Sequence, residues 1–148
     1  RKLPAHARGR LSALKVTVHV DGGSSGNPGP AAAAAVASDE SGNPLAERNR
    51  YIGETTNNVA EYEGVLLALE LARELGASEV EVVNDSELVA RQIGGQYRVK
   101  QEHLKPLHRQ VMDALRGFDG WEVRSVRREH NVRADELVNE ALDEAASR

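Results

Sequence analysis

Four carboxylates in this chain have the residue type and placement for metal-assisted chemistry, namely Asp21, Glu61, Asp85 and Asp135. Two lie where strands are predicted to stop, one lies on an inward helix face, and one lies in the first turn of a helix. Hard divalent cations such as Mg²⁺ prefer an all-oxygen set of ligands of this kind. The chain has no Cys and no close His cluster, which argues against zinc. The residue types therefore indicate a magnesium-type site if the four acids meet in the fold.

Asp21 follows a run, Lys15–Val20, in which valines alternate with other residues as in a strand. The pattern predicts that the strand stops at Asp21, before a glycine-rich stretch that ends at Pro30. The glycines remove side chains that would hold off a large ligand, and Ser24 and Asn27 offer small polar groups. A tight turn opened by an aspartate explains the same residues.

Glu61 belongs to a long helix that is predicted from Val59 to Leu75 and ended by Gly76. At about 100° per residue, the leucines and alanines of this helix share one broad arc, and Glu61 lies in the middle of it. A buried carboxylate without a partner is costly. Either a metal ion or a salt bridge to an internal Arg would supply that partner.

Asp85 comes directly after the strand-like stretch Val80-Glu81-Val82-Val83-Asn84, and Asp135 lies in the first turn of the last predicted helix. Both have structural explanations. Asn84 or Asp85 would cap the next helix, with Glu87 as a capping-box partner, and an acid in a first turn opposes the helix dipole favourably. Each residue is weak evidence alone, so the case for a site depends on all four acids together.

The elements that must position these acids are three strands followed by strand–helix units. The predicted strands are Lys15–Val20, Ala31–Ser38, Leu45–Glu54, Val80–Val83 and Trp121–Val126, and the predicted helices are Val59–Leu75, Ser86–Ile93, Gln101–Leu115 and Val132–Ala146. The first three strands are predicted to pair as hairpins, and the later strands are predicted to be covered by helices. This order predicts an α/β fold, which is a mixed sheet with helices on its faces.

The length of 148 residues fits one domain with a single core. The lack of Cys is typical of a reducing compartment, and no apolar run approaches the roughly 20 residues of a membrane span. We therefore expect a cytoplasmic protein without a membrane partner. Arg1 to Leu14 shows no periodic pattern and is expected to be a flexible leader, a cloning remnant or the end of a linker.

The formal net charge of -4 argues mildly against a nucleic-acid partner. The placement of the charges matters more than their sum, because basic residues crowd the segment between Arg98 and Arg133 whereas acids crowd the helices around it. The chain thus has a basic segment in an acidic protein.

Four stretches, in this order and at these separations, resemble the signatures of type 1 ribonuclease H: VDGGSSGNPGP, TTNNVAEYEGVLLAL, VNDSELVARQ and HNVRADELVNEAL. The resemblance covers about Lys15 to Ala145, and each stretch holds one of the four carboxylates. It implies a ribonuclease H-like domain over 15–148, with a five-stranded mixed sheet of order 3-2-1-4-5 flanked by helices. It also implies endonucleolytic hydrolysis of the RNA strand of RNA/DNA hybrids, leaving 5′-phosphate and 3′-hydroxyl ends.

The same resemblance implies roles for the acids. Asp21, Glu61, Asp85 and Asp135 match the family's catalytic metal-binding quartet, which holds two Mg²⁺ ions roughly 4 Å apart, or Mn²⁺ in their place. Asp21 would bridge both ions. Asp135 would help to hold the ion that carries the nucleophilic water, and Glu61 with Asp85 would hold the other.

The substrate-binding residues that the resemblance implies are Gly22, Ser24, Asn27, Thr56, Asn57 and Asn58. The asparagines match family residues that contact the hybrid in its minor groove, where 2′-hydroxyls distinguish RNA from DNA. Thr56 matches a phosphate contact on the DNA strand. An ordinary helix start also explains the Thr-Thr-Asn-Asn run.

One departure from the family pattern is a missing insert. Many members carry a basic, Trp-containing helix after the second helix, but here Gly94–Tyr97 continues directly into Lys100–His103. Affinity for nucleic acid depends heavily on phosphate neutralisation. We therefore expect weaker or salt-sensitive binding unless Lys100, Lys105, Arg109 or a second domain compensates.

A second departure concerns the family's mobile histidine, which lies upstream of the last aspartate in a longer loop. His130 is closer to Asp135 than that pattern requires. Assistance of product release by His130 or Arg128 is one interpretation, and a plain loop residue is another.

Three functions stay open at this point. The first is the hybrid-specific ribonuclease, the second is a polynucleotidyl transferase or junction resolvase on the same fold, and the third is a nucleic-acid-binding module whose carboxylates are structural. We expect a monomer, with a partner domain that is either fused or separate.

Overall fold

The computed structural model describes residues 14–148. The strands are β1 (Lys15–Ser24), β2 (Gly29–Asp39), β3 (Pro44–Thr55), β4 (Glu79–Asn84) and β5 (Gly120–Ser125). The helices are α1 (Asn57–Glu74), α2 (Glu87–Ile93), α3 (Lys105–Leu115) and α4 (Val132–Ala146). Two short 3₁₀ helices, Glu102–Leu104 and Arg128–His130, precede α3 and α4.

The leader expected from the sequence lies outside the described residues except for Leu14. The Leu14 carbonyl accepts hydrogen bonds from the backbone N–H groups of Ser78 and Glu79, at 3.0 and 3.3 Å. None of the described helices combines the length and the apolar character needed to cross a membrane.

The five strands form one sheet in the order β3-β2-β1-β4-β5. The pairs β1–β2 and β2–β3 are antiparallel, whereas β1–β4 and β4–β5 are parallel. Parallel neighbours need long crossover connections, and these contain α1 in one case and α2 with α3 in the other. The mixed sheet and its strand order, both predicted, are confirmed.

The strand β2 is built mainly of alanine, and its small side chains are buried on both faces. Ala31 to Ala35 are each at most 1% exposed. Ala33 and Ala35 belong to the main core, which includes residues of α1, and Ala32 belongs to a smaller core under α4. Because no long side chain stands on either face, a helix can pack closely on each side of β2.

Two predicted boundaries differ from the structure by more than two residues. The strand was expected to stop at Asp21, but β1 continues to Ser24 because Gly22 to Ser24 keep pairing with the first alanines of β2. The third helix was expected from Gln101, but α3 begins at Lys105. Pro106 lacks a backbone N–H and disfavours helical geometry before it, so it fits only the first turn of a helix.

Candidate active site

The register of the sheet brings Asp21 and Asp85 together. The last parallel pair of β1 and β4 joins His19 to Val83, so each aspartate stands two residues beyond that pair on its own chain segment. Neighbouring strands are about 4.8 Å apart, and residues at matching positions point to the same face. The two carboxylates therefore lie side by side where β1 and β4 stop pairing.

The placement of Glu61 depends on two glycines that bring α1 against β1. A Cβ atom at Gly22 would overlap the backbone carbonyl of Ala60, and a Cβ atom at Gly64 would lie 2.7 Å from Cγ1 of Val20. Neither position has room for a side chain, so the helix backbone rests directly on the strand. Glu61 is the next residue after Ala60, and it is thereby held beside Asp21.

Asp135 is placed by Asn131, which joins the start of α4 to β1. The buried Nδ2 of Asn131 donates to the Val20 carbonyl at 2.7 Å. The Asn131 carbonyl accepts from the Asp135 backbone N–H at 3.2 Å. One residue thus connects the backbone next to Asp21 with the backbone of Asp135.

All four predicted carboxylates border one cleft of about 270 Å³, which we call the acidic cleft. It is lined by Asp21, Gly22, Gly23, Ser24, Asn57, Glu61, Asp85, Arg128, Asp135, Val138, Asn139 and Leu142. Residues far apart in sequence thus converge on one place from β1, α1, the end of β4 and α4.

The electrostatics of the acidic cleft disfavour negative charge. Burial and, after it, repulsion from Asp85 and Asp135 raise the pKa of Asp21 to about 7, and the hydrogen bond from the Gly22 N–H at 2.9 Å opposes the shift. Burial likewise raises the pKa of Glu61 to about 7, against a hydrogen bond from the Ser86 side chain. The pKa of Asp85 is also raised, first by burial, and the charge of Arg128 opposes this.

This donor set fits a hard divalent cation. It consists of carboxylate oxygens that are partly desolvated and that repel one another, so a bound cation would relieve both costs. Among residues 14–148, no three acidic or imidazole side chains are already gathered as a ready-made metal site.

Three of the predicted substrate-side residues form one hydrogen-bonded rim of the acidic cleft. The backbone N–H and the hydroxyl of Ser24 donate to Oδ1 of Asn57 at 2.8 and 3.0 Å. The Asn57 backbone N–H donates to Oδ1 of Asn27 at 3.0 Å. The glycine-rich loop after β1 is thereby fixed to the first residue of α1.

The other predicted substrate residues have different surroundings. Thr56 is the N-cap of α1, and its side chain accepts from the Val59 backbone N–H at 3.3 Å. Gly22 lines the cleft, but its lack of a side chain is required by the packing of α1. Asn58 is half-buried and is not among the lining residues of the cleft.

Of the two loop residues considered for product release, Arg128 reaches the acidic cleft. Its Nε lies 3.7 Å from Oδ2 of Asp85, although 83% of its side chain is exposed. His130 is exposed and lines a separate pocket with His19 and Val36.

The sequence reasoning missed one wall of the cleft. Val138, Asn139 and Leu142 line it together with Asp135. They follow Asp135 by three, four and seven residues, which is the spacing of one helix face. That spacing could have identified them once Asp135 was placed in a helix.

A family model described as "Reverse transcriptase-like" matches residues 19–141. Among curated proteins, Ribonuclease HI of Halobacterium salinarum is 41% identical over 131 residues, which are 88% of this chain and 66% of that protein. The bifunctional protein Rv2228c of Mycobacterium tuberculosis is 42% identical over 134 residues, which are 90% of this chain and 37% of that protein. The chain thus spans about two thirds of one relative and about a third of the other.

Solved structures agree with the sequence comparison. The crystal structure of RNase H1 from Halobacterium salinarum is similar with a TM-score of 0.86 and 41% identity, and the match covers 88% of this chain and 98% of that chain. LC11-RNase H1 in complex with an RNA/DNA hybrid is similar with a TM-score of 0.85 and 46% identity, and the match covers 88% of this chain and 99% of that chain.

Proposed function

The chain belongs to the type 1 ribonuclease H family, and on that premise we propose that it is an endoribonuclease that hydrolyses the RNA strand of RNA/DNA hybrids. The observation that carries the proposal is the convergence of Asp21, Glu61, Asp85 and Asp135 on one cleft. A purely structural set of acids would be expected to pair with internal cations, but here burial and mutual repulsion raise the pKa of Asp21. The products would carry 5′-phosphate and 3′-hydroxyl ends.

The four carboxylates would hold two Mg²⁺ ions, or Mn²⁺ in their place. Bound divalent cations lower the pKa of an attacking water and stabilise the leaving oxygen of an in-line displacement. Asp21 is suited to serve both ions because Asp85 and Asp135 both lie close enough to act on its pKa. Asp135 would help to hold the ion that carries the attacking water. Glu61 and Asp85 would hold the ion on the side of the leaving group.

The rim of the acidic cleft would bind the substrate. Oδ1 of Asn57 is occupied by Ser24, which leaves the Asn57 amide nitrogen to donate to a ligand. A donor beside the carboxylates can meet a 2′-hydroxyl in the minor groove of a hybrid, and this group is absent from DNA. Asn27 fixes the Asn57 backbone, and Thr56 and Asn58 would extend the contact to the DNA strand and the groove.

Arg128 would serve the departure of the product. Its long, exposed side chain reaches Asp85 from the loop before α4, where a guanidinium can pair with a free phosphate and draw it away from the carboxylates. His130 stays a second candidate for this role.

A second, larger cleft of about 520 Å³ could hold the duplex in place of the missing basic insert, and we call it the basic cleft. It is lined by Leu88, Gln92, Gln96, Tyr97, Arg98, Lys100, Gln101 and Leu104. Arg98 and Lys100 can neutralise phosphates. The Tyr97 ring is stacked by Arg91, whose guanidinium carbon lies 5.4 Å from the ring centre.

The test is a cleavage assay on a labelled RNA/DNA hybrid, the matching double-stranded DNA and double-stranded RNA, in Mg²⁺ and in EDTA. Metal-dependent cutting confined to the RNA of the hybrid is expected. Asp85→Asn should abolish it, whereas Asp143→Asn, an exposed acid near the end of α4, should leave it unchanged. A hybrid that stays intact in both Mg²⁺ and Mn²⁺ would refute the proposal, and four-way junctions would be tested next.

A further inference from the structure

Two buried side-chain atoms lack a hydrogen-bond partner among the described residues, and both lie beside the acidic cleft. They are Nδ2 of Asn84 and Oδ1 of Asn131. Asn84 directly precedes Asp85 and is 5% exposed. Buried polar groups are rarely left without a partner, and each such case calls for an explanation.

The orientation of the Asn84 amide is fixed by its other contacts. Its Oδ1 accepts from the Ser86 backbone N–H at 2.9 Å, and its backbone carbonyl accepts from the Val126 N–H at 2.7 Å. Turning the amide over would set its NH₂ group against the Ser86 N–H and lose that bond. Nδ2 must therefore point away from the Ser86 N–H group. In that direction Nδ2 can donate a hydrogen bond, but none of the described residues accepts it.

The charged acceptors that share a gap with Asn84 are carboxylates. Asn84 lines a narrow gap together with Glu61, Asp21 and Asp85, and the gap has no room for a water molecule. Side chains alternate in direction along a strand, so Asn84 shares a face of β4 with Val80 and Val82, which both belong to the main core together with residues of α1. The Asn84 side chain therefore lies on the face of the sheet that α1 covers.

Glu61 is the carboxylate on that side, because α1 carries it and it lines the same gap as Asn84 and Ser86. The Ser86 side chain favours the charged form of Glu61 and so opposes the rise of its pKa, and its hydroxyl oxygen accepts from the Val89 backbone N–H at 3.2 Å as the cap of α2. A charged Glu61 has four lone-pair sites to fill, and Ser86 supplies only one donor.

We propose that Asn84 is a positioning residue whose buried amide nitrogen donates to the Glu61 carboxylate when that carboxylate turns to hold a divalent cation. In the segment Asn84-Asp85-Ser86 the middle residue is itself a ligand, and the two outer residues orient the ligand that comes from α1. The inference rests on the proposed function, because it takes Glu61 as a metal ligand. Groups that orient a ligating carboxylate typically affect metal affinity by 10- to 100-fold.

The test compares Asn84→Thr with Asn84→Val, which have nearly the same shape and differ in one hydroxyl group. Mg²⁺ and Mn²⁺ affinities are measured by calorimetry on the protein alone, without nucleic acid. We expect Asn84→Val to weaken binding by about 10-fold or more and Asn84→Thr to restore most of the loss. Circular dichroism and urea denaturation show whether each variant is folded.

A double-mutant cycle with Glu61→Gln shows whether Asn84 acts through Glu61. When Glu61→Gln is also present, the Asn84→Thr and Asn84→Val variants should bind Mn²⁺ with the same residual affinity. A difference that persists would place the effect at the Ser86 backbone N–H and overturn the inference. The inference would also be overturned if the folded Asn84→Thr and Asn84→Val variants, both with the native Glu61, bound the metal ions with equal affinity.

These outcomes separate the inference from the proposed function. If the wild-type protein cuts the hybrid but Asn84→Val and Asn84→Thr bind metal equally, only the inference falls. If the hybrid stays intact while the two variants differ through Glu61, the inference stands and the ribonuclease assignment falls. A wild-type protein that binds neither Mg²⁺ nor Mn²⁺ would overturn the inference together with the proposed metal site.

Discussion

Asp21 illustrates, at the scale of single residues, how a functional group is held in an unfavourable state. Burial and the nearby acids raise its pKa to about 7, so near neutral pH its ionised form costs stability as long as no cation is bound. A carboxyl group in these surroundings lowers the stability of the metal-free fold, and such groups are typical of functional sites.

Asp21→Asn should therefore stabilise the metal-free protein. The amide keeps the shape of the side chain and removes the charge, so at pH 8 in EDTA we expect the melting temperature to rise by about 3–6 °C, given roughly 3 °C per kcal/mol for a domain of this size. Thermal denaturation followed by circular dichroism measures it. The control Asp143→Asn should shift the melting temperature by no more than about 1 °C, and an unchanged or lower value for Asp21→Asn would contradict the argument.

Single residues also show how far the sequence alone could lead. Glu61 was identifiable because it interrupts an apolar helix face, and Asp21 and Asp85 because they follow strand patterns. That the two aspartates face each other depends on the register of β1 and β4, which no local pattern encodes. The contact of Arg128 with Asp85 depends on the path of the loop before α4, and for that reason the sequence could not choose between Arg128 and His130.

At the scale of elements, the packing of α1 on β1 sets the geometry of the acidic cleft. Gly22 and Gly64 face the partner backbone where no Cβ fits. The sequence suggested that the glycines after Asp21 make room for a ligand, but the structure shows that Gly22 makes room for a helix. A glycine-rich stretch has the same appearance in both cases, so only the fold distinguishes them.

Gly22→Ala should separate α1 from β1 and displace Glu61 from Asp21. Overpacking of this kind costs about 1–3 kcal/mol, and we expect cleavage of the hybrid to fall by more than about 10-fold because the carboxylates lose their spacing. Urea denaturation and single-turnover cleavage measure the two effects. Gly23→Ala is the matched control for stability, since its nearest neighbouring atom, Oδ1 of Asn57, is 3.9 Å from the added Cβ; an equal loss of stability in both variants would contradict the packing argument.

The loop between α2 and α3 carries a separate prediction about affinity. Replacing Arg98 and Lys100 by Ala should weaken hybrid binding and lower the slope of log K against log salt by up to about 1.8, or about 0.9 for each phosphate that is no longer neutralised. Fluorescence anisotropy in EDTA at several salt concentrations measures the slope.

The control for this loop is Arg116→Ala at the end of α3, where Arg116 pairs with Asp113. It should leave the slope unchanged. If the Arg98 and Lys100 variant had the slope of the wild-type protein, the basic cleft would not be a phosphate-binding surface.

At the scale of the whole molecule, the raised pKa values couple folding to pH. A carboxyl whose pKa is raised on folding stabilises the fold below its unfolded pKa, and this contribution is lost as the pH rises through the folded value. For Asp21 this contribution is lost between about pH 4 and about pH 7, and the pKa of Glu61 is also about 7. These groups make the metal-free protein less stable at pH 8 than at pH 5.

A divalent cation should reverse this loss. In EDTA we expect the melting temperature to fall between pH 5 and pH 8, and at pH 8 millimolar Mg²⁺ should raise it because a ligand that binds only the folded state stabilises it. Differential scanning calorimetry with and without Mg²⁺ measures both effects. Asp21→Asn should show a smaller dependence on pH and on Mg²⁺; a wild-type protein insensitive to both would contradict the proposed site.

Of the four acids, Asp135 lies on α4, the last helix of the domain, and it reaches β1 through one asparagine. During translation the other three acids leave the ribosome well before it. The quartet is complete only after α4 has emerged from the exit tunnel and docked on the sheet. The proposed nuclease would therefore stay inactive on the ribosome until this helix is in place.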